Sequence, residues 1–126
     1  MEIIFGVQNK LQSYDPYLFY FYAFREASFD AELIVTSGYG FMDKHINDNL
    51  INAFKLDTSK RLLVNIYDRE DIDGTKTKRD ISQRLQIPEA QITIENKAAK
   101  DFFTTNLNVD YFSSLFPEED EEEVLP

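Results

Sequence analysis

The chain has 126 residues, enough for one packed domain, with 43% hydrophobic residues, 11 phenylalanines, 7 tyrosines and no cysteine. Zero cysteines exclude a disulfide framework, a thiolate zinc site and a thiol nucleophile. The formal net charge is -10, but six of the acids follow Pro117; the body before them has no clustered basic face, and no nucleic acid is expected as a partner.

Taken in chain order, the start from Met1 to Phe5 carries Glu2 where a secretory leader carries basic residues. The apolar run Tyr17 to Phe24 falls well short of the roughly 20 residues of a bilayer-spanning helix. No membrane association and a cytoplasmic location are expected. Pro16 to Ser28 reads as a helix, with Asp15 as N-cap, Pro16 at the first helical position, and Tyr17, Phe21, Phe24 and Ser28 on one core-facing stripe. Ala31 to Ser37 is an apolar, partly β-branched run ended by Gly38 and Gly40, as in a strand buried on both faces. Asp43 then opens a helix in which Ile46, Leu50 and Phe54 recur at four-residue spacing beside Ile51.

The unit repeats. Arg61 to Tyr67 reads as a second buried strand, followed by a polar loop containing Gly74 and a helix that begins near Thr75 to Thr77 and runs to about Leu85, with Ile81, Leu85 and Ile87 inward and Pro88 beyond. Gln91 to Glu95 alternates as a third strand, and Ala98 to Leu107 predicts a last helix with Phe102, Phe103 and Leu107 inward. Strands alternating with helices imply an α/β fold, a three-layer half-Rossmann arrangement with a short, mainly parallel sheet flanked by helices. The domain is expected over 1–116, and residues 117–126 as an acidic, disordered tail.

In such sheets ligands sit beyond the carboxyl ends of the strands, which puts Thr36 to Gly40 and Asn65 to Asp68 on one rim. Each residue there also has a plain structural role. Gly38 and Gly40 supply the turn between strand and helix or bring backbone close to a ligand. Asp43 caps its helix, and His45, the single histidine, hydrogen-bonds the loop or Asp43. Asn65, a polar amide at the end of an apolar strand, either satisfies a neighbouring loop or meets a ligand.

The segment from Ser37 to Asn47, SGYGFMDKHIN, resembles the Gly-Tyr-Ser-Phe-x-Asp-x-His-Ile-Asn segment of the bacterial sirtuin-like family, in the branch common among anti-phage defence proteins. Ile4, Phe5 and Gly6 resemble that family's Phe-Gly strand end, and Pro16, Tyr17, Phe24 and Arg25 follow in matching order. Val64 and Asn65 resemble the Ile-Asn pair that meets the adenosine ribose of NAD, and Glu95 to Phe103 resembles the closing strand and helix. Before the motif the sequence holds no Gly-Ala-Gly-x-Ser loop, no Asn-x-Asp segment and no histidine, and Gly40 stands where the family has a hydroxyl.

The resemblance implies the carboxyl-terminal part of an NAD-binding domain, with NAD contacted at Gly38, Tyr39, Gly40, Phe41 and Asn65. The complete parent is expected to cleave NAD by hydrolysis or ADP-ribosyl transfer, and this chain alone to be inactive, with no catalytic residue and no metal. The expected partners are a missing amino-terminal half, or a homo-oligomer through the exposed sheet edge. The alternative is a free-standing protein-interaction module with a degenerate nucleotide site.

Overall fold

The computed structural model describes residues 3–6 and 15–117. The acidic tail beyond Pro117 and the side chains of Tyr17 and Phe21 lie outside that description. In chain order the elements are β1 (Ile3–Gly6), α1 (Asp15–Asp30), β2 (Leu33–Ser37), α2 (Lys44–Lys55), β3 (Arg61–Ile66), α3 (Thr75–Leu85), a 3-10 turn (Glu89–Gln91), β4 (Ile92–Asn96), α4 (Ala99–Thr105) and α5 (Val109–Ser114).

All pairings are parallel and the spatial order is β1-β2-β3-β4, giving a sheet one strand wider than the three strands read from apolar runs. β1 entered the sequence reading only through its Phe-Gly ending. Each crossover steps to the next strand in the same direction, so right-handed connections put α1, α2 and α3 on one face. The packing agrees: Ile34, Leu62, Val64 and Ile92 meet Ile46, Leu50 and Phe54 of α2, Ile81 and Leu85 of α3, and the half-buried Phe24 of α1. Leu33, Val35 and Leu63 point the other way, against Phe102 of α4 and Phe112 of α5. β2 and β3 are covered on both faces, which is why their sequences are continuous apolar runs without alternation.

Two expectations for the chain end are corrected. Phe103 is 46% exposed while Phe102 is fully buried; adjacent helical residues are turned about 100° from each other, so only one can face the sheet. The second anchor comes from α5, absent from the sequence reading, whose Asn108 cap accepts from Tyr111 N at 2.8 Å and whose Phe112 is buried.

Polar groups fix the connections. Lys60 is fully buried, and its ammonium donates to the carbonyls of Ser28 (2.8 Å), Phe29 (3.0 Å) and Ala31 (2.6 Å), closing the carboxyl end of α1. Burial holds its pKa below the usual lysine value, with the nearby charges of Asp57 and Asp30 opposing that shift. Asp71 does for α3 what its formal cap Gly74 cannot, accepting from Lys76 N, Thr77 N and the Thr77 hydroxyl. These hydrogen bonds, the Thr77 hydroxyl first, lower the Asp71 pKa. Asn96 staples the same loop, donating to the Asp68 and Asp71 carbonyls and accepting from Asp68 N.

Candidate functional site

β2 ends at Ser37, and Gly38, at φ +70°, turns the chain away from the sheet. The Gly38 amide donates to the Asn65 carbonyl at 3.2 Å, so the turn starts pinned to the neighbouring strand. Tyr39 and Phe41 then fold back into the core under α1 to α3, with ring centroids 4.6 Å apart. The Tyr39 hydroxyl donates to Asn47 Oδ1 at 2.7 Å and lies 3.2 Å from the Asp43 carbonyl. Burial first, then the charge of Asp43, pushes the phenol up to about 12.

Phe41 sits at φ +59°, in the left-handed region that costs a residue with a side chain about 1–2 kcal/mol. Two donors on its carbonyl hold it there: Asn47 Nδ2 at 2.8 Å and Arg84 Nη1 at 2.9 Å. A strained residue held by two separate elements is a feature found at ligand sites. Beside it lies a cavity of about 210 Å³. One wall is Tyr39, Gly40 and Phe41; Ile66 and Ile81 form the apolar part; α3 contributes Thr77, Asp80 and Arg84.

Asn65 stands next to this turn in the backbone but serves the opposite face of the sheet. Val64 and Ile66 on either side of it pack into the α1 to α3 core, so its side chain points toward α4 and α5. There it is 2% exposed. Its Oδ1 accepts from the Ser37 hydroxyl at 2.7 Å, and its Nδ2 donates to the carbonyls of Glu95 (3.1 Å) and Lys97 (2.8 Å). Both amide hydrogens are therefore spent on tying the ends of β2, β3 and β4 together. Of the five residues expected at the site, Tyr39, Gly40 and Phe41 line one cavity, Gly38 supports it, and Asn65 is joined to Gly38 through backbone alone.

Asp43 is the N-cap of α2, its Oδ1 accepting from His45 N at 2.9 Å and Ile46 N at 3.1 Å. The positive end of α2 is thus already met by an internal carboxylate. His45 is exposed on the first turn of α2. At the end of β2, Thr36 is 1% exposed and its hydroxyl has no hydrogen-bond partner. It pairs in register with Gly6 and Val64, which places the hydroxyl on the α1 to α3 side of the rim.

The sequence reading did not assign Thr77, Asp80 and Arg84 to the site. Their signal was the spacing of Thr77, Asp80, Ile81 and Arg84 along α3, a half-polar stripe beside the apolar one of Ile81 and Leu85. On the other face, the Tyr111 hydroxyl donates to Glu95 Oε1 at 2.8 Å, and Lys97 lies 3.7 Å from Glu95 Oε2 while donating to Asn106 Oδ1 at 2.8 Å. Among the described residues no group of three His, Asp or Glu side chains converges on a metal position, and no helix is long and apolar enough to cross a membrane. Comparison of the chain with protein families, with curated proteins and with solved structures finds no match.

Proposed function

We propose that this chain is the carboxyl-terminal part of a sirtuin-like NAD-binding domain, and that the rim around Gly38, Tyr39, Gly40 and Phe41 receives part of the dinucleotide. The observation that carries this reading is Gly40. Its φ lies outside the range that excludes side chains, and among the described residues an added Cβ would meet only Met42 Cγ at 3.8 Å, an ordinary contact. Nothing among the described residues requires glycine there, and the bare backbone leaves room for a ligand to approach. The buried, unpartnered hydroxyl of Thr36 beside the same turn supports the reading, since such a group is costly without a partner.

The residues present fit part of the cofactor. Thr36 Oγ1 and the main chain from Gly38 to Gly40 suit a phosphate or sugar oxygen, while Asn65 contributes by positioning the turn. NAD, when bound, would supply the nicotinamide-ribosyl bond that the complete domain breaks. Upstream of the motif this chain has neither the phosphate loop nor the Asn-x-Asp segment of the resembled family, and on its own is inactive in this reading. In doubly wound sheets the ligand crevice opens where strand order reverses. The order β1-β2-β3-β4 does not reverse, so that crevice would open along β1, where further strands would add.

The test is calorimetric titration of the full chain with ADP-ribose. Saturable binding is expected, with a Kd on the order of 0.1–1 mM, because a half-site recovers little of the burial that offsets association. Gly40→Val should weaken it tenfold or more with an unchanged melting temperature, and Thr36→Val should weaken it while raising stability by about 1 kcal/mol. Absence of saturable binding in the unmodified chain overturns the proposal.

A second reading, an interaction module that pairs with another copy of itself, draws on the outer face of α1. There Tyr22 is 62% and Phe29 39% exposed, and the Arg25 guanidinium lies 6.0 Å from the Phe29 ring. Sedimentation equilibrium separates the two readings. A dimer dissociated by Phe29→Ser favours the module, and a monomer that binds ADP-ribose favours the nucleotide site.

A further inference from the structure

We infer that the cavity between the β2–α2 turn and α3 is a ribose subsite, in which the Asp80 carboxylate accepts from the vicinal hydroxyls of the sugar and Arg84 donates to them. The inference rests on the nucleotide-binding reading of the adjoining rim and assigns two residues which that reading leaves out.

Asp80 and Arg84 are four residues apart on α3 with the acid first, the order that favours an ion pair along a helix. No such pair forms. The ion pairs among the described residues are Lys44 with Asp48 and Lys97 with Glu95. Arg84 instead turns Nη1 to the Phe41 carbonyl at 2.9 Å and to Met42 Sδ at 3.3 Å. Asp80 is left on the cavity wall without a hydrogen-bond or ionic partner.

The chemistry of the lining selects the ligand. A carboxylate only accepts, and a guanidinium only donates, so the pair recognises a group that does both. One negative and one positive charge side by side favour neither an anion nor a cation, which leaves a neutral polyol, and a vicinal diol satisfies both charges at once. Ile66 and Ile81 offer apolar surface for the sugar's carbon face. The volume of about 210 Å³ is below the roughly 300–1,000 Å³ of whole-ligand sites, and suits one sugar ring of a larger molecule. Gly40 shares the lining, so a sugar held here continues directly into the glycine turn.

The experiment titrates the full chain and its Asp80→Asn variant with ADP and with 2′,3′-dideoxy-ADP, following Kd by calorimetry and folding by thermal melting. The expected result is a roughly tenfold or greater loss of ADP affinity in Asp80→Asn, an equal loss for dideoxy-ADP on the unmodified chain, and no further loss when the two changes are combined. Melting temperature should stay constant, since Asp80 is exposed. Arg84→Lys, which keeps the charge but changes the fork geometry, should weaken ADP more than dideoxy-ADP. ADP binding that is indifferent to Asp80→Asn overturns the ribose subsite and leaves the rim reading intact. Failure of both ADP and ADP-ribose to saturate the unmodified chain overturns both.

Discussion

Ser37 and Asn65 lie opposite each other in register at the carboxyl ends of β2 and β3, and the Ser37 hydroxyl donates to Asn65 Oδ1 at 2.7 Å. Because Asn65 Nδ2 reaches on to the carbonyls of Glu95 and Lys97, this one amide spans three strand ends. Replacing Asn65 with Ala leaves those groups without their partner in a buried place, and unfolding in urea should show a loss of about 2–3 kcal/mol. Asn65→Asp keeps the acceptor and loses the donors, so it should also destabilise. Retention of full stability by Asn65→Ala would remove the strand-tying role and return the side chain to ligand contact.

Gly74 and Ile94 show how closely the α3 entry is packed. A Cβ at Gly74 would stand 2.6 Å from Ile94 Cγ2 and 2.7 Å from its Cβ, and Gly74 is at φ +73°. Gly74→Ala therefore meets both a clash and a disfavoured backbone, together worth about 2–4 kcal/mol. In the double variant with Ile94→Ala, the two losses should be less than additive, because the contact with Cγ2 is removed while the contact with the Cβ at position 94 and the backbone cost stay.

The ammonium of Lys60 accounts for three carbonyls at the end of α1. Lys60→Met removes the donors and also a charge held away from water, two effects of opposite sign, and the net loss should be about 2 kcal/mol. Since the folded-state pKa of Lys60 is lowered, the unfolded chain binds the extra proton between that value and the ordinary lysine pKa of 10.5. Stability contributed through this group therefore rises with pH across that window. Lys60→Met should flatten that part of the stability curve.

The tyrosines act in the opposite sense. Burial and the charge of Asp43 raise Tyr39 to about 12, and burial with the hydrogen bond to Glu95 raises Tyr111 further still. Above the ordinary phenol value of 10.0 the unfolded chain ionises first, so it binds fewer protons than the native chain and stability falls as pH rises. Spectrophotometric titration of phenolate should show a late component that coincides with unfolding. Tyr39→Phe and Tyr111→Phe should each reduce it, and a titration complete near pH 10 in the folded chain would contradict the burial of both rings.

The order of strands and helices from α1 to α4 was legible in the sequence for a simple reason. Runs such as Leu33 to Val35 and Leu62 to Val64 are apolar without alternation, as strands covered on both faces are, and Ile46, Leu50 and Phe54 recur at helical spacing. Asp43 as a cap and Gly38 as a turn residue were equally local matters, settled by backbone geometry within a few residues. What the sequence could not decide was where polar side chains point across the sheet. Asn65 was assigned to the rim by its place at a strand end, but alternation along β3 sends its amide to the α4 and α5 face, where it meets carbonyls 30 and 32 residues further along the chain. Arg84 was invisible for the same reason, because its contact with the Phe41 carbonyl spans 43 residues and exists only once α3 packs beside the turn. Local pattern determines which segments become strand, turn and helix, since those depend on torsions and nearest neighbours; which side chains meet at the rim depends on register and on the face each helix takes, and only the packed sheet sets those.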